Sequence, residues 1–185
     1  TEDVKERYEA IRDGVISDLF FDYISPKVLE ADWDVEGLEN ALALNYSSDI
    51  PIQKSIDEGL NVDQVLKIIL EGFMLSHQVK ESAIGSETMR TFEKAVMLRA
   101  LDQHWKDHLA VMDQLRQSVN LRGYGQKNPV QEYKRESFSM FTLLLDTINS
   151  EMVKALCSLN IEQANDQLSS ASSDLEGQGK NSSSQ

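Results

Sequence analysis

The sequence predicts an all-α protein. Apolar residues recur at intervals of three and four over most of the first 160 positions, which is the spacing of one helix face. No segment alternates polar and apolar residues for long enough to predict a strand. Three prolines and nine glycines in 185 residues suit helices better than a sandwich or barrel. We therefore expect a small helical subdomain, then a long antiparallel two-helix hairpin, and a disordered C-terminal tail.

The first half of the chain reads as five helices, two of them short, with short connections. Residues 2–23 carry apolar side chains at helical spacing, and Ser25-Pro26 ends that helix and starts another short one. From Asp34 a helix is expected to about Asn45, with Val35, Leu38, Ala41 and Leu42 facing inward. Residues 52–57 predict one or two helical turns, and Gly59 breaks them. Asn61 is a good N-cap for a helix to about Glu81.

The second half predicts two longer helices. Gly85-Ser86-Glu87 reads as a boundary, with a terminator, an N-cap and an acid in the first turn, and a long helix follows to about Asn120. Asn128 as N-cap and Pro129 at the first helical position begin a helix that should run to about Leu159. From Gln163 onward the chain is almost free of apolar residues, so we expect residues 161–185 to be a disordered Ser/Gln/Asn-rich tail.

The two long helices carry matching apolar seams, which predict that they pack as a hairpin. If the chain folds back at residue 124 or 125, the two seams meet in register, and each arm is roughly 30 Å long at about 1.5 Å per residue. The seam residues are Leu98, Leu101, Trp105, His108 and Met112 on the first helix and Phe138, Phe141, Leu145, Ile148 and Met152 on the second. In this register Trp105 lies against Leu145 and His108 against Phe141.

Charge is divided unevenly along the chain. The net charge is −13, which argues against nucleic acid as a partner because phosphate binding depends on Lys and Arg. The segment from Gln114 to Arg135 nevertheless carries a net charge of +4. Its basic residues are Arg116, Arg122, Lys127, Lys134 and Arg135. They are either a solvated face or, as their clustering favours, a docking surface.

No catalytic or cofactor motif is complete in this sequence. His104 and His108 have the i, i+4 spacing of a zincin helix, but Trp105 stands where that motif needs Glu, so a metal site is not expected. Cys157 has no base placed to activate it and fits a reducing compartment. The chain lacks a phosphate-binding G-x-x-x-x-G-K-[ST] loop. We therefore expect these residues alone to be non-catalytic and to bind no cofactor.

Tyr124 between Gly123 and Gly125 allows two interpretations. The ring packs back against Leu121 and staples the turn, or it is displayed and offers apolar area and a hydroxyl for sequence-tolerant contacts. Spacing alone does not separate them.

The hairpin sequence is similar to the C-terminal region of the SecA family, the ATP-driven motors of bacterial preprotein translocation. The resemblance is densest over residues 86–150. It rests on Trp105-Lys106, His108-Leu109 and Leu115-Arg-Gln117, on Leu121-Arg-Gly-Tyr-Gly-Gln-Lys-Asn-Pro129, and on Gln131-Glu-Tyr-Lys-Arg-Glu-Ser-Phe138. A looser, colinear similarity covers residues 1–85 through Tyr23-Ile24, Trp33-Asp34 and Gly37-Leu38.

The resemblance implies a division of the chain and a set of roles. Residues 1–22 would end the scaffold helix, 23–85 form the helical wing, and 86–160 form the two-helix finger of the scaffold. The fingertip, Leu121, Gly123, Tyr124 and Gly125, would contact the preprotein, and the basic residues would dock on the SecY channel complex. The hairpin would also pack against the nucleotide-binding part of the parent chain and restrain its ATPase.

The same resemblance implies a cytoplasmic location, peripherally associated with the inner face of the bacterial plasma membrane. ATP and Mg²⁺ would bind in parent domains that this sequence lacks, and no zinc-binding terminus is present. The alternatives are an independent helical adaptor whose hairpin groove binds a partner helix, and a metalloenzyme using His104 and His108.

Overall fold

A computed structural model describes residues 2–27, 32–122 and 128–159. Within those ranges the protein consists of helices and connections and contains no strand, which confirms the all-α prediction. The helices are α1 (Glu2–Tyr23), α2 (Val35–Tyr46), α3 (Ile52–Asp57), α4 (Val62–Ile84), α5 (Ser86–Arg122) and α6 (Pro129–Cys157). The expected tail at 161–185 lies outside the described residues. None of the described helices is long and apolar enough to cross a membrane.

Local capping explains where these helices begin. Asp34 precedes α2, and its side chain accepts a hydrogen bond from the Gly37 backbone N–H over 2.9 Å. Asn61 forms a complete capping box with Gln64 at the start of α4. The short helix α3 has no cap of its own from Pro51. Instead, Glu39 of α2 accepts hydrogen bonds from the backbone N–H groups of Ile52 and Gln53, at 2.6 and 2.9 Å.

One apolar core joins α1, α2, α3, α4 and the C-terminal end of α6. We call α1–α4 the body. The body contributes fully buried residues including Ile16, Phe20, Leu38, Leu42, Ile52, Val65 and Ile69. Met152, Val153 and Leu156 of α6 are buried in the same cluster. Burying a side chain of this size contributes about 1.5–3 kcal/mol, so the end of α6 is held firmly in the body.

The apolar spacing of α1 predicts a face formed by Val4, Tyr8, Ile11, Val15, Leu19 and Tyr23, and the structure buries a different one. The most buried side chains are Tyr8, Arg12, Ile16 and Phe20, whereas Ile11, Val15 and Leu19 pack at the edge of the core. Two apolar series interleave along this helix, and spacing alone does not say which one faces inward.

The boundary between α4 and α5 is a single residue. Gly85 adopts φ 86° and ψ 148°, and its N–H donates to the Glu81 carbonyl at the end of α4. The Gly85 carbonyl in turn accepts from Met89 N–H, which closes the first turn of α5. Ser86, expected as an N-cap, is therefore the first residue of α5, because Gly85 serves both helix ends.

Candidate functional site

The candidate site is the pair formed by α5 and α6, which we call the α5–α6 pair. Helix α5 has 37 residues and α6 has 29, which makes them the longest elements described. As predicted, Asn128 caps α6 and Pro129 is its first residue. The Asn128 side chain accepts from Val130 N–H over 3.0 Å. A helix of 37 residues is about 55 Å long, so the pair is a long, stiff element.

Side-chain contacts show which residues of the two helices meet. The rings of His108 and Phe141 have their centroids 6.1 Å apart, so this pair is in contact as its seam position predicts. Nearer the body, His104 Nε2 lies 2.8 Å from Glu151 Oε2, and Ala100 is buried together with Leu144 and Ile148. A step toward the start of α5 is thus matched by a step toward the end of α6. This is the order that an antiparallel pair gives.

The predicted seam residues are not uniformly buried. Ile148 and Met152, near the body, are 6% and 1% exposed. In contrast, Leu98 and Phe138 are 59% and 72% exposed, and Leu101, Trp105, Phe141 and Leu145 are also exposed. His108 and Met112 are half-buried. Leu115 and Val119, which continue the predicted apolar series of the first helix, are buried, and so are Ala100 and Leu144 beside the seam.

This arrangement leaves an apolar face on the α5–α6 pair. Trp105 contacts His108, with ring centroids 5.7 Å apart, and His108 contacts Phe141, so the rings form one continuous group. We call the exposed residues Leu98, Leu101, Trp105, Phe138, Phe141 and Leu145 the apolar face. Exposed apolar surface of this kind is a candidate contact surface for another protein element.

The basic residues of the predicted docking surface are partly paired. Arg116 donates to Asp113 and Arg135 to Glu132, each over 2.8 Å. The Arg116 and Arg135 guanidinium groups are accessible, at 72% and 68% exposed, although Glu132 itself is only 17% exposed, and the open Arg116–Asp113 pair contributes little stability. Lys134 is exposed. The structure describes only helical backbone at Leu121 and Arg122, and Gly123, Tyr124, Gly125 and Lys127 lie outside the described residues.

His104 and His108 do not share a site. His104 is paired with Glu151, whereas His108 is packed between aromatic rings. Across 2–27, 32–122 and 128–159, no three His, Cys, Asp or Glu side chains converge as a metal site would require. The geometry therefore gives the metalloenzyme alternative no support.

A buried polar cluster joins α4 to the start of α5, and the sequence analysis missed it. Glu93 is 1% exposed. Its carboxylate lies 3.2 Å from His77 Nε2 and 3.0 Å from Arg90 Nη1. Arg90 Nη2 also reaches Glu81, at 3.0 Å. One signal was available, because His77 continues the series Val65, Ile69 and Phe73 at four-residue spacing, so the helix periodicity places it on the buried face.

Helix α1 reaches the same cluster. Lys5 donates to Glu81 over 3.0 Å, and the Tyr8 ring lies 4.8 Å from the His77 ring. Partial burial acts to raise the pKa of Glu81, but the hydrogen bond from Lys5 and the charge of Arg90 outweigh it and lower that pKa. We call His77, Glu81, Arg90 and Glu93 the polar cluster.

A small cavity beside the polar cluster holds the chain's cysteine. The cavity has a volume of about 40 Å³ and is lined by Tyr8, His77, Lys80 and Cys157 among others. Burial raises the pKa of the Cys157 thiol and also that of the Tyr8 hydroxyl, and it lowers the pKa of Lys80. A thiol with a raised pKa is a weak nucleophile, so the cavity is a packing feature and not a catalytic centre.

Comparison with known proteins assigns the chain to a family. The sequence profile of the SecA Wing and Scaffold domain matches residues 1–160. A relative named protein translocase subunit SecA, from Vesicomyosocius okutanii subsp. Calyptogena okutanii (strain HA), is 54% identical over 164 residues. Relatives of the same name from Ruthia magnifica subsp. Calyptogena magnifica and Methylobacillus flagellatus are 55% and 42% identical over 161 and 166 residues.

These alignments cover 89%, 87% and 89% of this chain, respectively, and 18% of each relative. The chain thus spans about a fifth of the length of the curated relatives that it matches. Since the family profile matches most of its length, the chain belongs to the SecA wing and scaffold domain family.

Proposed function

We propose that this chain works as the wing and scaffold part of a protein translocase subunit, and that the α5–α6 pair is the finger that engages the SecY channel. The observation that carries the proposal is mechanical. Two long helices contact each other, and Met152, Val153 and Leu156 fix one end of the pair in the core of the body. At the opposite end of α6, none of residues 129–143 is buried. Such an element transmits a displacement of the body to its far end.

The apolar face supports contact with the rest of a larger protein. Leu98, Trp105 and Phe141 expose apolar surface to water. Burying such surface against another protein element is favourable by about 25 cal/mol per Å². We propose that the nucleotide-binding part of the parent chain covers this face, and that the contact restrains its ATPase until channel and substrate engage. ATP and Mg²⁺ would bind in that parent part, and the present chain would be non-catalytic by itself.

The far end of the pair supports contact with channel and substrate. Arg116, Lys134 and Arg135 are accessible cations near that end, on a chain whose net charge is −13. They would dock, with Arg122 and Lys127, on an anionic rim of the channel. Tyr124, flanked by glycines in the sequence, would touch the moving preprotein through non-specific apolar contact. The assembly would sit peripherally at the cytoplasmic face of the bacterial plasma membrane.

The deciding experiment changes Tyr124 in a full-length translocase subunit that carries this sequence. Tyr124→Ala should slow preprotein transport into SecY-containing vesicles by about tenfold, since an aromatic contact is worth about 0.5–1.5 kcal/mol beyond its area. Tyr124→Phe is the matched control and should keep most of the rate, because it retains the ring. Helix content and melting temperature should stay unchanged in both variants. Normal transport by Tyr124→Ala would refute the substrate-contact role.

The docking role has a separate test. Binding of the chain to SecY-containing nanodiscs should weaken as salt rises, because exposed charges are screened beyond about 10 Å at 0.1 M. Lys134→Gln should weaken binding, whereas Lys67→Gln in α4 should not. Binding that is indifferent to salt would contradict the electrostatic part of the proposal.

A groove between α5 and α6 favours a second candidate function, the binding of a partner helix. It has a volume of about 520 Å³, and its walls include Phe92, Val96, Ala100 and Ala155. In helix-in-groove recognition, a partner helix lays its apolar face into a groove lined by apolar residues. The alanines of this groove leave room for the partner's backbone, and the larger side chains supply apolar contact area. Ala155→Trp, at an exposed position in the groove wall, would fill the groove. If this variant abolished nanodisc binding and Lys134→Gln did not, the groove and not the basic end would be the contact surface.

A further inference from the structure

The roots of α5 and α6 are attached to the body by different kinds of interaction. Helix α6 places Met152, Val153 and Leu156 inside the apolar core. Helix α5 meets that core only through partly buried Phe92, Val96 and Met97. Near its start α5 buries the apolar side chain of Met89 together with the charged side chains of Arg90 and Glu93, which are 1%, 6% and 1% exposed. The root of α6 is therefore held by apolar packing, whereas the root of α5 combines one buried apolar side chain with buried ion pairs.

The ion pairs of the polar cluster cross from one helix to the other. Glu93 of α5 meets His77 of α4 at 3.2 Å, and Arg90 of α5 meets Glu81 of α4 at 3.0 Å. Among the described residues, neither carboxylate oxygen of Glu93 receives a well-aligned hydrogen bond, although cationic or imidazole nitrogens lie within 3.2 Å. Buried ion pairs with incomplete hydrogen bonding recover little of their desolvation cost, so they fix geometry more than they add stability.

The joint between the two helices is free of side-chain packing. Gly85 is the only residue between α4 and α5, and its φ of 86° is a conformation that residues with a side chain rarely adopt. A Cβ placed on Gly85 would meet nothing within 4 Å. The space beside Gly85 is therefore open, and its backbone is tied to the two helices by the hydrogen bonds to Glu81 and Met89.

We propose that the α4–α5 junction is a latched hinge, in which the polar cluster is the latch that sets the angle of α5 and Gly85 is the pivot. When the latch opens, α5 tilts away from α4 and the far part of α6, which packs on α5, follows it, while the root of α6 stays in the apolar core. Because α5 is about 55 Å long, a tilt of about 10° at its root moves its far end by about 10 Å. The latch thus couples a small change at the body to a large displacement of the far end of α5.

The test measures distances between pairs of spin labels in this chain, with Cys157→Ser as background. One pair joins α2 to α5 through cysteines at Leu44 and Lys106, and the other joins α2 to the root of α6 through cysteines at Leu44 and Ala155; all three positions are exposed. Glu93→Gln removes the negative charge of the latch. This variant should broaden the α2–α5 distance distribution and shift it by several Å, which is about the displacement expected at Lys106 when α5 tilts by about 10°. The α2–α6 distribution should stay unchanged. Glu71→Gln, which breaks an exposed ion pair within α4, is the matched control and should alter neither.

Two results would overturn the proposal. One is an α2–α5 distribution in folded Glu93→Gln that matches the parent chain. The other is an equal shift of both pairs, which would show general loosening and not a hinge. If Glu93→Gln does not fold, Glu81→Gln decides, because Glu81 lies at the edge of the polar cluster and touches both Arg90 and Lys5. A shift confined to the α2–α5 pair supports the latch, and no shift refutes it.

Discussion

The ammonium group of Lys80 donates a hydrogen bond to the carbonyl oxygen of Leu156 over 3.3 Å. It also contacts the carbonyl oxygen of Cys157, so one side chain of α4 closes the last turn of α6. The last carbonyls of a helix have no partner within the helix and carry its negative dipole end, so a cation there satisfies both needs. Burial lowers the pKa of Lys80, which is the cost of placing this cation between helices.

Removing this cation should destabilise the protein. We expect Lys80→Met, which keeps most of the side-chain volume, to lower the free energy of unfolding by about 1–2 kcal/mol. Urea titration followed by circular dichroism measures the change. Lys67→Met is the matched control, since Lys67 is an exposed residue of the same helix paired only with Glu71 at 3.7 Å. Equal effects of the two changes would show that the contact of Lys80 with α6 contributes nothing.

Local capping signals made the helix boundaries predictable. Asn61 and Asn128 act through residues two or three positions away, so the sequence alone contains what the interaction needs. The inward positions Val35, Leu38 and Leu42 are confirmed for the same reason, because one unambiguous apolar stripe runs along α2.

Interactions between distant segments were not predictable in this way. The contacts of Lys80 with Leu156 and of His77 with Glu93 join residues whose proximity depends on how helices pack. On α1 the predicted apolar series packs mostly at the edge of the core, and the buried series contains Arg12, a charged residue that pattern reasoning places outside. The domain limits at 22 and 85 and the role of Tyr124 stay predictions.

Truncating α6 where it enters the body should be costly. Met152 is 1% exposed within the apolar core, so Met152→Ala should lower the free energy of unfolding by about 2–5 kcal/mol. The control is Leu143→Ala on an exposed position of the same helix, for which we expect a change within about 0.5 kcal/mol. Thermal unfolding of the two variants and the parent chain measures both changes in the free energy of unfolding. A small effect at Met152 would mean that α6 is not held by the core.

Acid should weaken the junction between α1, α4 and α5 through Glu81. Its pKa in the folded protein lies below the ordinary value of 4.5, so its ionised form is favoured by folding. This contribution is fully present above pH 4.5 and is lost as the pH falls through the lower folded pKa. Glu81→Gln should therefore be less stable than the parent chain at pH 7 and should lose less stability between pH 5 and pH 3. Parallel curves of stability against pH for the two proteins would contradict the assignment.

Two glycines with equally open surroundings should respond to alanine in opposite directions. A Cβ on either Gly14 or Gly85 would meet nothing within 4 Å, so space does not distinguish them. Gly14 lies inside α1, where alanine restricts the unfolded chain and should raise the free energy of unfolding by about 0.5–1 kcal/mol. Gly85 has φ 86° and ψ 148°, a conformation that costs a residue with a Cβ about 1–3 kcal/mol, so Gly85→Ala should destabilise. Denaturant unfolding of the two single variants gives the sign directly, and stabilisation by Gly85→Ala would mean that the α4–α5 joint does not need this backbone geometry.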